Sequence, residues 1–135
     1  MIFKATLTWQ LPTLPKESTA RIYTKSHTIQ AEGKSELAVS AAKQFKGDPT
    51  LYNPEDLLLS SLMSCHMMSY LYCCQQHQIE VLSYTDHAEA TLQTASDGSG
   101  RITQVVLRPE VTIKNQDQVD LANALHQKAN QLCFI

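Results

Sequence analysis

Residues 53–66 read NPEDLLLSSLMSCH, and this stretch decides the fold class of the chain. Asn53 is a favourable N-cap, and Pro54 suits the first helical position because its missing N–H would have no partner there. The two acidic residues that follow place negative charge at the positive end of the helix dipole. The apolar run after them predicts one long helix that ends near residue 76 or 77 and holds Cys65 within it.

Extended segments lie on both sides of this helix in the sequence pattern. They are predicted at 2–9, 20–31, 36–40, 79–84, 87–94 and 101–114. Turns are predicted at 32–34 and at 97–100, and a loop covers 41–52. Apolar residues at helical spacing predict a second, amphipathic helix over 117–132. The order strands, helix, strands, helix predicts an α+β fold.

The length of 135 residues suits a single domain, 1–135. The net charge of −2 gives no electrostatic reason to expect a nucleic acid or an anionic membrane as partner. The N-terminal residues lack a basic region before a long apolar run, so we expect no signal peptide. We therefore expect a cytoplasmic protein whose four cysteines are reduced, with any disulfide catalytic or transient.

One segment of the chain is compatible with a membrane. Residues 57–74 contain no charged side chain and approach the length of roughly 20 residues that spans a bilayer. Four serines and a histidine interrupt the segment, and no other segment resembles it. A helix that is apolar on most faces is more often buried inside protein, and we expect that outcome here.

Cys65 is the leading candidate for a reactive group. A thiolate reacts and a thiol does not, so a reactive cysteine needs surroundings that lower its pKa. The competing interpretation is a small apolar residue in a core helix, which describes most unpaired cysteines. Cys133 lies 68 residues further on, at the end of the second helix, so only the fold could bring the two together. Such a pair could cycle through thiolate, sulfenic acid and disulfide, or it could be two unrelated core thiols.

The other thiols and the histidines look less promising. Cys73 lies about 12 Å along the helix from Cys65, too far for a disulfide, and with Cys74 we expect it to serve packing. His66 lies about 100° around the helix from Cys65 and faces elsewhere. The four other histidines, at positions 27, 77, 87 and 126, are expected on the surface or at helix caps. No CxxC pair or zinc-like spacing is present, so we expect neither a metal nor another cofactor.

Glu55 has a simple role as an acid in the first helical turn, and a functional role as a carboxylate that orients a cation beside the thiol. It lies ten residues before Cys65, or about 15 Å along a straight helix. Glu55 therefore cannot touch Cys65 of its own chain. If both belong to one site, Glu55 comes from a second subunit, and a two-fold homodimer would build two such sites.

The residues NPEDLL at 53–58, SCH at 64–66 and ANQLCFI at 129–135 closely resemble the OsmC/Ohr family of thiol-dependent peroxidases. The SCH segment is more similar to the OsmC-like branch than to the Ohr branch. The resemblance implies an intertwined homodimer with antiparallel β-sheets wrapped around two long helices. It also implies that Cys65 attacks an organic hydroperoxide, that Cys133 resolves the sulfenic acid, and that a dithiol such as a lipoyl protein reduces the disulfide.

Two departures from the family pattern concern the rest of the site. The family uses an Arg near the N-terminus that Glu55 would position, whereas the matching place here holds Lys25. Lys offers no bidentate fork, and Arg21, on the same strand face, is the other candidate for the cation. Either residue could instead be a solvated strand residue. Family members also continue beyond the second cysteine, so we expect a missing tail to leave Cys133 frayed and its reaction slow.

The sequence therefore predicts a peroxidase that reduces organic hydroperoxides to alcohols. Apolar neighbours such as Leu62 and Met68 favour fatty or aromatic peroxides over hydrogen peroxide. Two alternatives stay open: a non-catalytic module that binds a small apolar molecule at the dimer interface, and a structural protein whose cysteines only fill its core.

Overall fold

The computed structural model describes residues 1–13 and 23–135. Contacts divide the chain into two compact units, residues 1–57 and residues 58–135. Each unit has its own architecture. The assignment of residues 1–135 to a single domain stays a prediction.

The first unit contains a three-stranded antiparallel sheet in the order β1-β2-β3. Its strands are β1 (Ala5–Thr8), β2 (His27–Ala31) and β3 (Leu37–Val39). The predicted turn between β2 and β3 is confirmed, and Gly33 adopts a φ of 72° there, in the left-handed region that glycine tolerates best. A short 3₁₀ helix, Lys43–Phe45, lies within the predicted loop. Residues 20–22 of the predicted second strand, including Arg21, lie outside the described residues.

The long helix α1 spans Pro54–Gln76, as predicted. Asn53 caps its start reciprocally with Asp56: the Asn53 Oδ1 accepts from the Asp56 N–H at 2.9 Å, and the Asp56 Oδ2 accepts from the Asn53 N–H at 3.2 Å. This is the geometry of a capping box, which satisfies two backbone donors that the helix cannot pair.

The end of α1 has a defined stop signal. Gln78 has a φ of 56°, and the Ile79 N–H returns to the Cys74 carbonyl at 2.9 Å. The Gln78 N–H bonds the Gln75 carbonyl at 3.1 Å, which completes a Schellman motif with glutamine where glycine is usual.

The second unit contains two antiparallel strand pairs and a second helix. The strands are β4 (Val81–Asp86), β5 (Glu89–Thr94), β6 (Gly100–Val106) and β7 (Pro109–Ile113), and the helix is α2 (Val119–Leu132). Strand β4 pairs with β7, and β5 pairs with β6 across the predicted turn at 97–100. The unit therefore has the predicted α+β composition.

One strand prediction was wrong: residues 101–114 form two strands and not one. The chain breaks at Arg108, whose backbone N–H donates to the Asp86 Oδ1 at 2.7 Å. The next residue is Pro109, which has no N–H to donate to a ladder. The chain therefore changes partner at this point, from β5 to β4.

The core of the second unit lies between α1, α2 and the β4–β7 pair. Its buried members are Tyr70, Cys73, Cys74, Ile79, Ile113, Ala122, Leu125 and Ala129. The prediction that Cys73 and Cys74 serve packing is confirmed, since they are 3% and 1% exposed. Tyr70 connects the two helices, because its hydroxyl donates to the Ala122 carbonyl at 3.1 Å.

Helix α1 is long and apolar enough to cross a membrane by length and composition, with 22% of its most apolar window buried. A core helix of a soluble protein meets the same criterion. The absence of a membrane partner stays a prediction.

We predict that Tyr70→Phe lowers the free energy of unfolding by about 1 kcal/mol, because it removes the hydrogen bond between the helices and leaves the ring in place. Urea denaturation followed by circular dichroism measures the change. Tyr72→Phe is the matched control, since Tyr72 is 55% exposed. An equal loss in both variants would contradict the role given to the Tyr70 hydroxyl.

Candidate active site

The faces of α1 carry different chemistry. His66, Tyr70, Cys73 and Cys74 point into the core of the second unit. Residues at spacings of three, four and seven from Cys65 share its face. Those that line a cavity with it are Met68, Ser69 and Tyr72. The prediction that His66 faces away from Cys65 is confirmed, since His66 is only 8% exposed.

The fold brings Cys65 and Cys133 together. Cys133 caps the C-terminus of α2, and its backbone N–H donates to the Ala129 carbonyl at 3.0 Å. The next residue, Phe134, donates its backbone N–H to the Cys65 Sγ at 3.3 Å. The Cys133 side chain lies within hydrogen-bonding reach of Cys65, and both thiols are half-buried. These backbone bonds place Cys133 at the helix end, and the expected fraying and slow reaction of Cys133 stay predictions.

The two thiols differ in acidity. The hydrogen bond from the Cys133 side chain lowers the pKa of the Cys65 thiol, and the N–H of Phe134 lowers it further, against the opposing effect of burial. Burial raises the pKa of the Cys133 thiol, and its contact with Cys65 raises it further. Donors directed at a sulfur stabilise the thiolate, so Cys65 is the residue that ionises first.

A cavity of about 380 Å³ opens beside Cys65. Its lining is almost wholly apolar and comes from α1, the end of α2 and Phe134, two residues beyond that end. The lining residues are Cys65, Met68, Ser69, Tyr72, Leu132 and Phe134. Met68 therefore lies beside the thiol as predicted, whereas Leu62 is not among the lining residues. A cavity of this volume accommodates a small organic molecule next to the sulfur.

The remaining predicted site residues belong to the first unit or lie outside the described chain. Glu55 is half-buried in the first turn of α1, and the Lys25 side chain is exposed. The Lys25 carbonyl bonds the His27 ring at 2.8 Å. Arg21 lies outside the described residues. The claim that Glu55 and a cation belong to the same site as the two thiols stays a prediction.

Sequence reasoning missed His126, which was expected on the surface or at a cap. It is half-buried, its ring stacks on Tyr70 with centroids 4.0 Å apart, and its Nδ1 lies 3.1 Å from the His66 Nε2. His126 lies one residue after Leu125 and therefore flanks the apolar stripe of the second helix. This position in the sequence could have indicated that His126 is partly buried. The backbone N–H of Phe134 was also missed, since no side chain marks it.

We predict that Cys133→Ala raises the pH midpoint at which Cys65 reacts with iodoacetamide, because the alanine donates no hydrogen bond to the thiolate. Cys133→Ser is the matched control, since its hydroxyl keeps a donor at this place. Mass spectrometry of the modified peptide reports the rate for Cys65 alone. An unchanged or lower midpoint in Cys133→Ala would contradict the assignment of Cys133 as the group that acidifies Cys65.

Several solved structures resemble this chain. An OsmC-like protein of unknown function from Vibrio cholerae is 29% identical, with a TM-score of 0.84 over 99% of this chain and 90% of that one. An organic hydroperoxide resistance protein from Elizabethkingia anophelis is 18% identical, with a TM-score of 0.72 and coverage of 98% and 84%. The organic hydroperoxide resistance protein OsmC from Legionella pneumophila is 16% identical, with a TM-score of 0.72 and coverage of 99% and 85%.

No curated protein matches the chain in sequence. The three structures confirm the predicted OsmC-like α+β fold with its antiparallel strands and two helices. Residues 47–135, well over half of the chain, match the family described as OsmC-like protein. This segment contains α1, α2 and both cysteines of the candidate site, and the chain belongs to the OsmC-like family.

Proposed function

We propose that this protein is a thiol-dependent peroxidase that reduces organic hydroperoxides to alcohols. The observation that carries the proposal is the pairing of an acidified Cys65 with Cys133 at the mouth of an apolar cavity. Membership in the OsmC-like family, and the naming of similar structures as organic hydroperoxide resistance proteins, support a role in peroxide resistance.

The chemistry begins at the Cys65 thiolate. The sulfur attacks the terminal oxygen of the hydroperoxide, the O–O bond breaks, and the alkoxide takes a proton and leaves as an alcohol. Cys65 is then a sulfenic acid, oxidised by two electrons. Cys133 loses its proton and attacks this sulfur as a thiolate, the hydroxide that leaves combines with that proton as water, and a Cys65–Cys133 disulfide forms. An external dithiol, such as a lipoyl group, would reduce the disulfide by thiol exchange.

The difference between the two thiols supports these roles. Because the pKa of Cys65 is lowered, a larger share of it is thiolate at neutral pH. The pKa of Cys133 is raised, so Cys133 remains a thiol until the sulfenic acid has formed next to it. The difference therefore makes Cys65 the first thiolate to meet the peroxide, and Cys133 reacts afterwards, once its proton has left.

The rest of the proposed site includes a cation and a carboxylate. We assign the cation to Lys25 or Arg21 and its positioning to Glu55 of a second subunit, since Glu55 lies ten residues from Cys65 on the same helix. A homodimer would also cover apolar side chains that α1 leaves exposed, such as Leu58 and Tyr72. A comparison of kcat/KM for Lys25→Met and Arg21→Met would identify the cation as the residue whose loss lowers kcat/KM more. A fully active monomer would exclude a site shared between two subunits.

The cavity also favours a second candidate function, the binding of a small apolar molecule without turnover. A volume of about 380 Å³ beside a half-buried thiol would serve that purpose as well. The fate of the thiols separates the two functions, because a binding module would leave both cysteines reduced.

We predict that one equivalent of cumene hydroperoxide removes two titratable thiols from each chain, because the sulfenic acid of Cys65 condenses with Cys133. Titration with a chromogenic disulfide before and after the addition measures the loss. Cys65→Ser should abolish it. Cys73→Ser is the matched control and should retain it, since Cys73 is buried in the core. No loss of thiols in the wild-type protein would favour the binding module.

We further predict a higher kcat/KM for cumene hydroperoxide than for hydrogen peroxide, because the cavity offers apolar contacts and few polar ones. Met68→Asp should lower kcat/KM for the cumyl substrate about tenfold and change that for hydrogen peroxide far less. Steady-state assays with a dithiol reductant measure both constants. A wild-type preference for hydrogen peroxide would contradict the role given to the cavity.

A further inference from the structure

Two histidines join the helices that carry the cysteines. The Nε2 of His66, on α1, lies 3.1 Å from the Nδ1 of His126, on α2. Their rings are nearly parallel, with an interplanar angle of 11° and centroids 5.4 Å apart. His66 directly follows Cys65, and His126 lies seven residues, or two turns, before Cys133. The same two helices are therefore linked at the histidines and at the cysteines.

The histidine pair lies in a polar cluster inside the second unit. Tyr70 stacks on His126, and the ring of Tyr84 lies 6.0 Å from the ring of Tyr70. The Tyr84 hydroxyl and the Asp86 Oδ2 are buried and have no hydrogen-bond partner among residues 1–13 and 23–135. Asp86 acts electrostatically on both histidines. Within this cluster, α1 and α2 are joined by the Tyr70–Ala122 hydrogen bond and by the contact between the two histidine rings, and of these two the ring contact is the one that titrates near neutral pH.

We propose that His66 and His126 are positioning residues that hold α2 in register against α1, and that acid weakens this hold and separates Cys133 from Cys65. The inference rests on the proposed function in one respect: that function gives the Cys65–Cys133 disulfide its catalytic role. It adds a regulation to that site: formation of the disulfide becomes slower in acid than the loss of thiolate alone requires.

The direction of the pH effect follows from the groups that face the pair. A bond between two ring nitrogens requires one of them to lack a proton. Burial lowers the pKa of His66 below its ordinary 6.5, and burial together with the charge of His66 lowers the pKa of His126. Asp86 opposes both effects less strongly than burial favours them. Burial also raises the pKa of Tyr84 to about 12 and that of Tyr70, so both phenols stay neutral.

The strength of the helix contact therefore changes with pH in one direction, and acid weakens it. Histidines with lowered pKa values bind protons more readily once the helices separate. One proton on the pair still leaves a donor and an acceptor, so the contact weakens only as the second ring takes a proton. Because the pKa values of both rings are lowered, this happens as the pH falls below about 6.5. Protonation of both rings leaves two donors and no acceptor at the contact, and it places like charges 3.1 Å apart.

The test oxidises the thiols without a peroxide. A diazene oxidant takes two electrons and two protons from the cysteines, becomes a hydrazine, and leaves the Cys65–Cys133 disulfide. The rate is measured by quenched-flow mass spectrometry between roughly pH 5 and 8, the range in which histidine titrates. The variant H66Q/H126N is the matched control, because its amides replace the two bonded nitrogens and do not titrate.

We expect the ratio of the wild-type rate to the rate of the amide variant to fall about fivefold from neutral to acid pH. A change of about fivefold corresponds to the loss of one ordinary hydrogen bond. Both proteins share the loss of thiolate, so the ratio isolates the histidines. His126→Phe, which keeps the stacking and lacks the bond, should be slower than wild type at neutral pH. H126N is the second control should the double variant not fold.

A ratio that stays constant with pH would overturn the inference. That outcome would leave the proposed function intact if cumene hydroperoxide still oxidises two thiols. A falling ratio in a protein that the hydroperoxide does not oxidise would support the inference and contradict the proposed function.

Discussion

The contact between α1 and α2 is the constraint on which the second unit depends. Tyr70 is at its centre: the ring is 1% exposed, the hydroxyl bonds the Ala122 carbonyl, and one face stacks on His126. Ala129, on α2, belongs to the same core and has no exposed surface. Because α2 is held at these points, the two residues that follow it, Cys133 and Phe134, lie beside Cys65. The chemistry of the site is therefore a consequence of helix packing.

The contact also explains how identical side chains acquire different roles. The backbone N–H of Phe134 donates to the Cys65 Sγ at 3.3 Å, and the neighbouring Cys133 side chain also lowers the pKa of the Cys65 thiol. Cys133 is the more strongly desolvated of the two. Cys73 and Cys74 lie on the same helix as Cys65 but face the core, where they serve packing. More than two turns of the helix, or about 12 Å, thus separate the reactive thiol from the structural ones.

Much of the fold follows from local sequence signals. The cap at Asn53, the stop after Gln76 and the turn at 97–100 are local, and each was predictable. The division of residues 101–114 has one local signal, Pro109, which the strand prediction passed over, whereas the bond from the Arg108 backbone to the distant Asp86 is not local. Since α1 is apolar on most faces, its sequence could not show which face holds the site. The pairing of Cys65 with Cys133 was predicted from a resemblance, whereas the contact of His66 with His126 depends on the packing of two helices that are distant in sequence.

The central claim is that Cys65 and Cys133 form one redox unit. The most direct measurement is peptide mapping by mass spectrometry, without reduction, of the wild-type protein after it reacts with one equivalent of an organic hydroperoxide. The account predicts a Cys65–Cys133 linked peptide as the main product, with Cys73 and Cys74 still free. A sulfenic or sulfinic acid on Cys65 with Cys133 unmodified, or four free thiols, would contradict it.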